Sequence, residues 1–205
     1  GLSYAPTGQR CPQFRADGVV QPGATVQLGL RDWQVHAAPG HDPHSVVLFE
    51  PQRRLLISAD ALWERGFGVV FPELEGEQAF AEVEATLDVI EQLQPEWVLP
   101  GHGGMFSDVA GALTVARKRL ADFQADPQRH AQYAAKVLLK YKLLEWQQAS
   151  CQQVQDWCAS TPLMQQMRQR YFADQDPVAW VLALLQALAA ARAVVWEGDQ
   201  VRNVD

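Results

Sequence analysis

Apolar and polar residues alternate over Thr25-Val26-Gln27-Leu28 and again over Trp33-Gln34-Val35-His36, which is the period of half-buried strands. Between them, Gly29-Leu30-Arg31-Asp32 predicts a hairpin connection with Asp32 as a turn residue. Residues 45–49 and Leu55-Leu56-Ile57 are continuous apolar runs separated by Glu50-Pro51-Gln52-Arg53-Arg54. They predict a second hairpin with more deeply buried strands. Phe80, Val83, Leu87 and Ile90 recur at helical spacing and predict a helix over residues 77–93, followed by Pro95. Trp97-Val98-Leu99 reads as a short buried strand. Ser107 or Asp108 then caps a helix that runs to Phe123. Strands with intervening helices predict a layered α/β domain.

At Asp126-Pro127 the pattern changes, which predicts one domain over residues 1–127 and a second over residues 128–205. Beyond it the chain is rich in Gln, Ala and Leu, and strands nearly vanish. Residues 131–146 form one helical pattern. Ser150 caps a second over residues 151–159, Thr161-Pro162 opens a third, and Asp176-Pro177 opens a fourth that runs to Ala191. Ala193-Val194-Val195-Trp196 and Gln200-Val201-Arg202 flank Glu197-Gly198-Asp199, the pattern of a small hairpin. Helices followed by a terminal hairpin predict a winged-helix-like module.

Composition narrows the function classes. The 205 residues are 48% hydrophobic and carry a net charge of -7, an ordinary globular balance that argues against general affinity for nucleic acid or anionic membrane. The predicted fourth helix, residues 177–191, contains no Lys or Arg, so it reads as a packing surface rather than a phosphate-tracking one. Cys11, Cys151 and Cys158 are odd in number and widely spaced, which does not make a disulfide framework and suits a reducing cytoplasm. The longest apolar run, residues 178–191, is interrupted by Gln186, and no signal-peptide pattern is present. The chain begins with Gly, which reads as a processed, tagged or truncated product.

Candidate chemistry lies at three strand ends. His41 follows Pro39-Gly40, Asp60 follows Ser58-Ala59, and His102 follows Pro100-Gly101. Loops at strand ends present side chains from fixed positions. Imidazole nitrogen and carboxylate oxygen suit zinc, iron or manganese. Singly, a His beside Gly is usually a loop residue and an Asp after a strand is often a helix cap. In this order and at these strand ends, the three together favour a metal site. The aromatic, glycine-rich stretch from Trp63 to Pro72 suits a loop beside a substrate pocket, and equally a hydrophobic cap over the sheet or an oligomer contact.

Pro39-Gly40-His41-Asp42-Pro43-His44, Ser58-Ala59-Asp60-Ala61-Leu62 and Pro100-Gly101-His102-Gly103 resemble the third, fourth and fifth motifs of the metallo-β-lactamase superfamily, nearest its glyoxalase II-like hydrolases. The resemblance covers residues 19–104. It implies the second half of an αββα sandwich, here followed by the winged-helix-like module. It also implies a two-metal centre in which His41 ligates one metal, Asp60 bridges both, and His102 ligates the second. His44 stands where the family has Gly, and Asp42 where it has Thr or Ser. His44 then either reaches substrate or water near the metals or is an ordinary loop residue, and Asp42 alters the charge of the site without being a ligand.

The family's upstream HxHxDH string is absent from this sequence. The expected function is therefore a fragment of a metal-dependent hydrolase of ester, thioester, lactam or phosphoester bonds, inactive by itself. Its parent would bind two divalent metals, most simply zinc, and a small-molecule substrate. No catalytic residue is assigned beyond the ligands. A non-catalytic binding or homo-oligomerisation module that keeps a half-site is the alternative. A nucleic-acid processing protein of the same fold is a second alternative, and the charge of -7 counts against it.

Overall fold

The computed structural model describes residues 5–7 and 15–204. They group into two compact units, one of residues 15–126 and the other of residues 127–204 together with residues 5–7. Cys11 lies outside the described residues.

The first unit is built on a five-stranded sheet in the order β1-β2-β3-β4-β5. Strands β1 (Thr25–Leu28), β2 (Arg31–Ala37), β3 (Val46–Glu50) and β4 (Leu55–Ala59) form an antiparallel meander, and β5 (Trp97–Pro100) joins β4 in parallel. Parallel pairing requires a long crossover, and it is supplied by helices α1 (Phe71–Glu75) and α2 (Phe80–Leu93). Helix α3 (Val109–Ala125) follows β5 and is tied to α2 by Arg117, which donates to Asp88 and Glu91 at 2.8 Å each.

Directly paired residues share a sheet face. Phe49, Leu56 and Val98 form one row of such pairs and are buried, as are Val47 and Ser58 beside them. With Leu87 and Ile90 of α2 and Ala116 and Leu120 of α3 they make the core of this unit. The opposite face carries the row Leu48, Ile57 and Leu99, which is only half-buried.

Three local expectations shift. Asp32 is not in the turn: β2 starts at Arg31, Asp32 pairs with Gln27, and the connection is Gly29-Leu30 with Gly29 at φ 63°. A two-residue hairpin with Gly at its first central position matches the twist of the strands and shortens the turn. Helix α2 starts at Phe80 rather than Glu77, because the Glu73 carboxylate accepts from the amides of Ala79 (2.8 Å) and Phe80 (3.1 Å) and fixes its first turn there. Of the two proposed caps of α3, Asp108 accepts from the Gly111 amide at 3.0 Å.

The second unit contains α4 (Pro127–Trp146), β6 (Gln148–Ser150), α5 (Cys151–Ser160), α6 (Pro162–Tyr171), α7 (Pro177–Ala190), β7 (Val194–Glu197) and β8 (Gln200–Asn203). Its antiparallel sheet has the order β6-β8-β7, so the terminal hairpin gains a third strand. Leu138, Leu139, Leu143, Met164, Met167 and Leu184 are fully buried and fill its core. The Lys140 ammonium donates to the Ala193 carbonyl (3.0 Å), the Val204 carbonyl (2.6 Å) and Asn203 Oδ1, which pins the hairpin to α4. Helix α4 begins at Pro127, four residues before the apolar pattern does, since a proline at the first helical position donates no amide there. No helix among the described residues is long and apolar enough to cross a membrane.

Candidate metal centre

Asp60 is delivered by an irregular end to β4. Ala59 sits at φ 46°, and the β4–β5 register shifts between Ile57 and Ala59. A non-glycine residue in the left-handed region is uncommon and disfavoured. It turns the chain so that Asp60 leaves the strand at the sheet's edge. The turn is held by the Ser58 hydroxyl, which donates to the Leu62 carbonyl at 2.6 Å, and by the Ala61 amide, which donates to the Ser58 carbonyl at 3.0 Å.

His41 lies in the loop between β2 and β3. Thr86 of α2 donates to the Pro39 carbonyl at 2.8 Å, and Gly40, at φ 134°, sits so close that a Cβ would come 2.6 Å from Val83 Cγ2. Only glycine fits that approach. His41 Nδ1 donates to the Val69 carbonyl at 2.5 Å. A carbonyl only accepts, so Nδ1 carries the hydrogen and Nε2 presents a lone pair in the neutral ring. His102 follows β5 by way of Gly101, whose amide donates to the Ala59 carbonyl at 2.7 Å.

These placements bring His41, Asp60 and His102 together. His41 Nε2 is 3.3 Å from Asp60 Oδ2, and His102 Nε2 is 3.7 Å from Asp60 Oδ1. The two histidines therefore face different oxygens of one carboxylate. Ligand atoms on a single tetrahedral zinc lie about 3.3 Å apart, from bond lengths of about 2.0–2.1 Å, so the His41–Asp60 separation suits a nitrogen and an oxygen sharing a metal, and the His102–Asp60 separation of 3.7 Å is wider than that spacing. The donor types also suit a divalent ion. Yet no group of three or more His, Cys, Asp or Glu side chains among the described residues is arranged to hold a metal ion. Each carboxylate oxygen has one histidine, which gives two half-sets rather than one complete set.

Glycines pack directly on this cluster. A Cβ on Gly68 would lie 2.7 Å from His41 Nδ1 and 2.9 Å from Asp60 Cβ, and one on Gly101 would lie 2.9 Å from Asp60 Oδ1. The Gly68 amide also donates to the Asp60 carbonyl at 2.9 Å. His44 is exposed, with its amide donating to Asp42 Oδ1 at 2.8 Å in a local turn. Asp42 is thereby occupied as a turn acceptor.

The stretch after Asp60 holds aromatic neighbours of the site that strand-end motifs do not reveal. Trp63 Nε1 donates to Asp60 Oδ1 at 3.1 Å, and its ring meets His102 edge-on at 5.1 Å. Phe71 meets His41 edge-on at 5.3 Å. The signal in the sequence was the aromatic composition of residues 63–72 alone.

Residues 4–102 match the family model described as the metallo-beta-lactamase superfamily. This segment belongs to the metallo-beta-lactamase superfamily. The chain is similar to the acyl-coenzyme A thioesterase MBLAC2 of Homo sapiens, 29% identical over 104 residues, which is 48% of this chain and 37% of that protein. The chicken counterpart, from Gallus gallus, is 26% identical over 95 residues, or 46% of this chain and 34% of the relative. The match thus spans little more than a third of these curated relatives. Among solved structures, a beta-lactamase domain protein from Burkholderia ambifaria shares 22% identity over 97% of this chain and 55% of its own, with a TM-score of 0.46.

Proposed function

We propose that the chain carries one half of a two-metal hydrolase centre, with His41, Asp60 and His102 as ligands and Asp60 between the two positions. The observation that carries this reading is the division of the Asp60 carboxylate, Oδ2 toward His41 and Oδ1 toward His102. When bound, a divalent ion supplies a water of lowered pKa and polarises the bond to be cleaved. The chain's own residues orient the His41 ring through the Nδ1–Val69 bond and exclude side-chain bulk from the cluster through Gly68 and Gly101. A carboxylic ester or thioester is the proposed substrate class, and the similarity to an acyl-coenzyme A thioesterase favours the thioester. His44, exposed three residues after His41, is proposed to meet substrate. Zinc is the first metal to test, with iron and manganese as alternatives.

The half-buried row Leu48, Ile57 and Leu99 supports a sheet that packs against further structure in the complete enzyme. We read the second unit as winged-helix-like, from its helices and the hairpin that closes on β6, and as a shaping or self-association element rather than a nucleic-acid reader. A reducing cytoplasm fits the free thiols of Cys151 and Cys158, the latter pushed up to about 12 by burial.

The absence of a three-donor group among the described residues favours a second reading, a non-catalytic module that retains the half-site. Zinc titration followed by a thioester hydrolysis assay separates the two. Weak zinc uptake that is abolished in Asp60→Ala, His41→Ala and His102→Ala supports the half-centre. Uptake unaffected by all three substitutions overturns it. Two tightly held zinc ions with thioester turnover would mean that the chain completes its own site.

A further inference from the structure

We infer that Trp63 is a positioning residue for the Asp60 carboxylate. This rests on the metal reading above and adds a residue to it. A carboxylate turns freely about its last torsion, which is broad and roughly two-fold. For Asp60 to serve two positions, its plane must be fixed so that each oxygen faces its own histidine. The backbone fixes Cα and Cβ, and Gly68 lies against Cβ, but neither fixes the plane.

The indole N–H of Trp63 does. It donates to Oδ1 at 3.1 Å, on the oxygen that faces His102. A carboxylate oxygen has room for more than one partner, so the indole takes one direction at Oδ1 and leaves another open toward His102. The ring edge against His102 at 5.1 Å holds the same histidine from the side. One side chain thus touches both members of the pair.

Trp63 is itself well anchored. Its amide donates to the Gly66 carbonyl at 2.6 Å and closes a tight turn. Gly66, at φ 114°, lies against the Arg119 guanidinium, where a Cβ would come within 2.5 Å, and Arg119 Nη1 donates to the Phe67 carbonyl at 3.3 Å. Helix α3 therefore backs the turn that carries the indole. Groups that orient metal ligands in this way typically change affinity by about 10–100-fold when removed.

The test is a zinc titration of the whole chain followed by a nitrogen–proton correlation spectrum. The sequence holds seven tryptophans, and the indole peak lost in Trp63→Phe identifies Trp63. That variant keeps an aromatic ring at position 63 and removes the N–H donor together with the five-membered ring of the indole. The expected result is that the Trp63 peak moves as zinc is added. Trp63→Phe should bind zinc about tenfold or more weakly, with the remaining indole peaks in place. An unmoved Trp63 peak during zinc uptake, or equal affinity in Trp63→Phe, overturns the inference and leaves the metal reading standing. A wild-type chain that takes up no zinc overturns the metal reading and this inference with it. If the other indole peaks scatter in Trp63→Phe, Asp60→Asn decides: loss of the acceptor's charge must shift one indole peak, and a spectrum without that shift overturns the inference.

Discussion

Gly68 has no space for a side chain. A methyl group there would sit 2.7 Å from His41 Nδ1 and 2.9 Å from Asp60 Cβ, so the histidine, the aspartate or the 63–70 segment must yield. Overpacking of this kind costs about 1–3 kcal/mol. Gly68→Ala should lower stability by that amount in urea unfolding, and should cut zinc uptake more than an alanine at exposed, uncrowded Gly104 does. The residue scale is also where sequence reading was most uneven. The strand-end placement of His41, Asp60 and His102 was legible because each follows a strand pattern, closed by Pro-Gly before the histidines and by Ser58-Ala59 before Asp60. Trp63 was not, because its role depends on the turn to Gly66 and the direction of one N–H, and no periodicity reports either.

Elements are set by caps and pairings as much as by apolar rhythm. The meander and the crossover helix follow the hydrophobic pattern closely, whereas α1 and β6 are five and three residues long and too short to show a period. The start of α2 is fixed by the Glu73 carboxylate. Glu73→Ala should cost about 1 kcal/mol, the usual value for a lost helix cap, and increase amide exchange at Ala79 and Phe80. Helix α4 carries a different liability. His130 is buried and held neutral, its pKa pushed by burial from 6.5 to about 4. The unfolded chain then binds a proton that the folded chain refuses. Stability is level above about pH 6.5 and falls as the pH drops toward about 4, by at most about 3 kcal/mol. Unfolding midpoints across that window check it, and His130→Gln should flatten the slope.

For the whole molecule, charge is the relevant quantity. A net charge of -7 and an α7 with no Lys or Arg count against phosphate binding, since duplex binding depends on cations that displace counterions. Fluorescence anisotropy with a labelled duplex should show no binding at about 0.1 M salt, where the screening length is about 10 Å. Saturable binding that weakens steeply with salt would restore the nucleic-acid alternative.

The parallel pairing of β4 with β5 also orders events in time. His41 and Asp60 belong to a meander of neighbouring strands, whose contacts close short loops. Ile57 meets Leu99 only after the entire α1–α2 crossover has been threaded. Long closures are slow relative to local ones. During refolding the β2–β3–β4 meander can therefore assemble first, and His102 arrives last. Pulse-labelled hydrogen exchange should protect amides of β2 and β3 before those of β5.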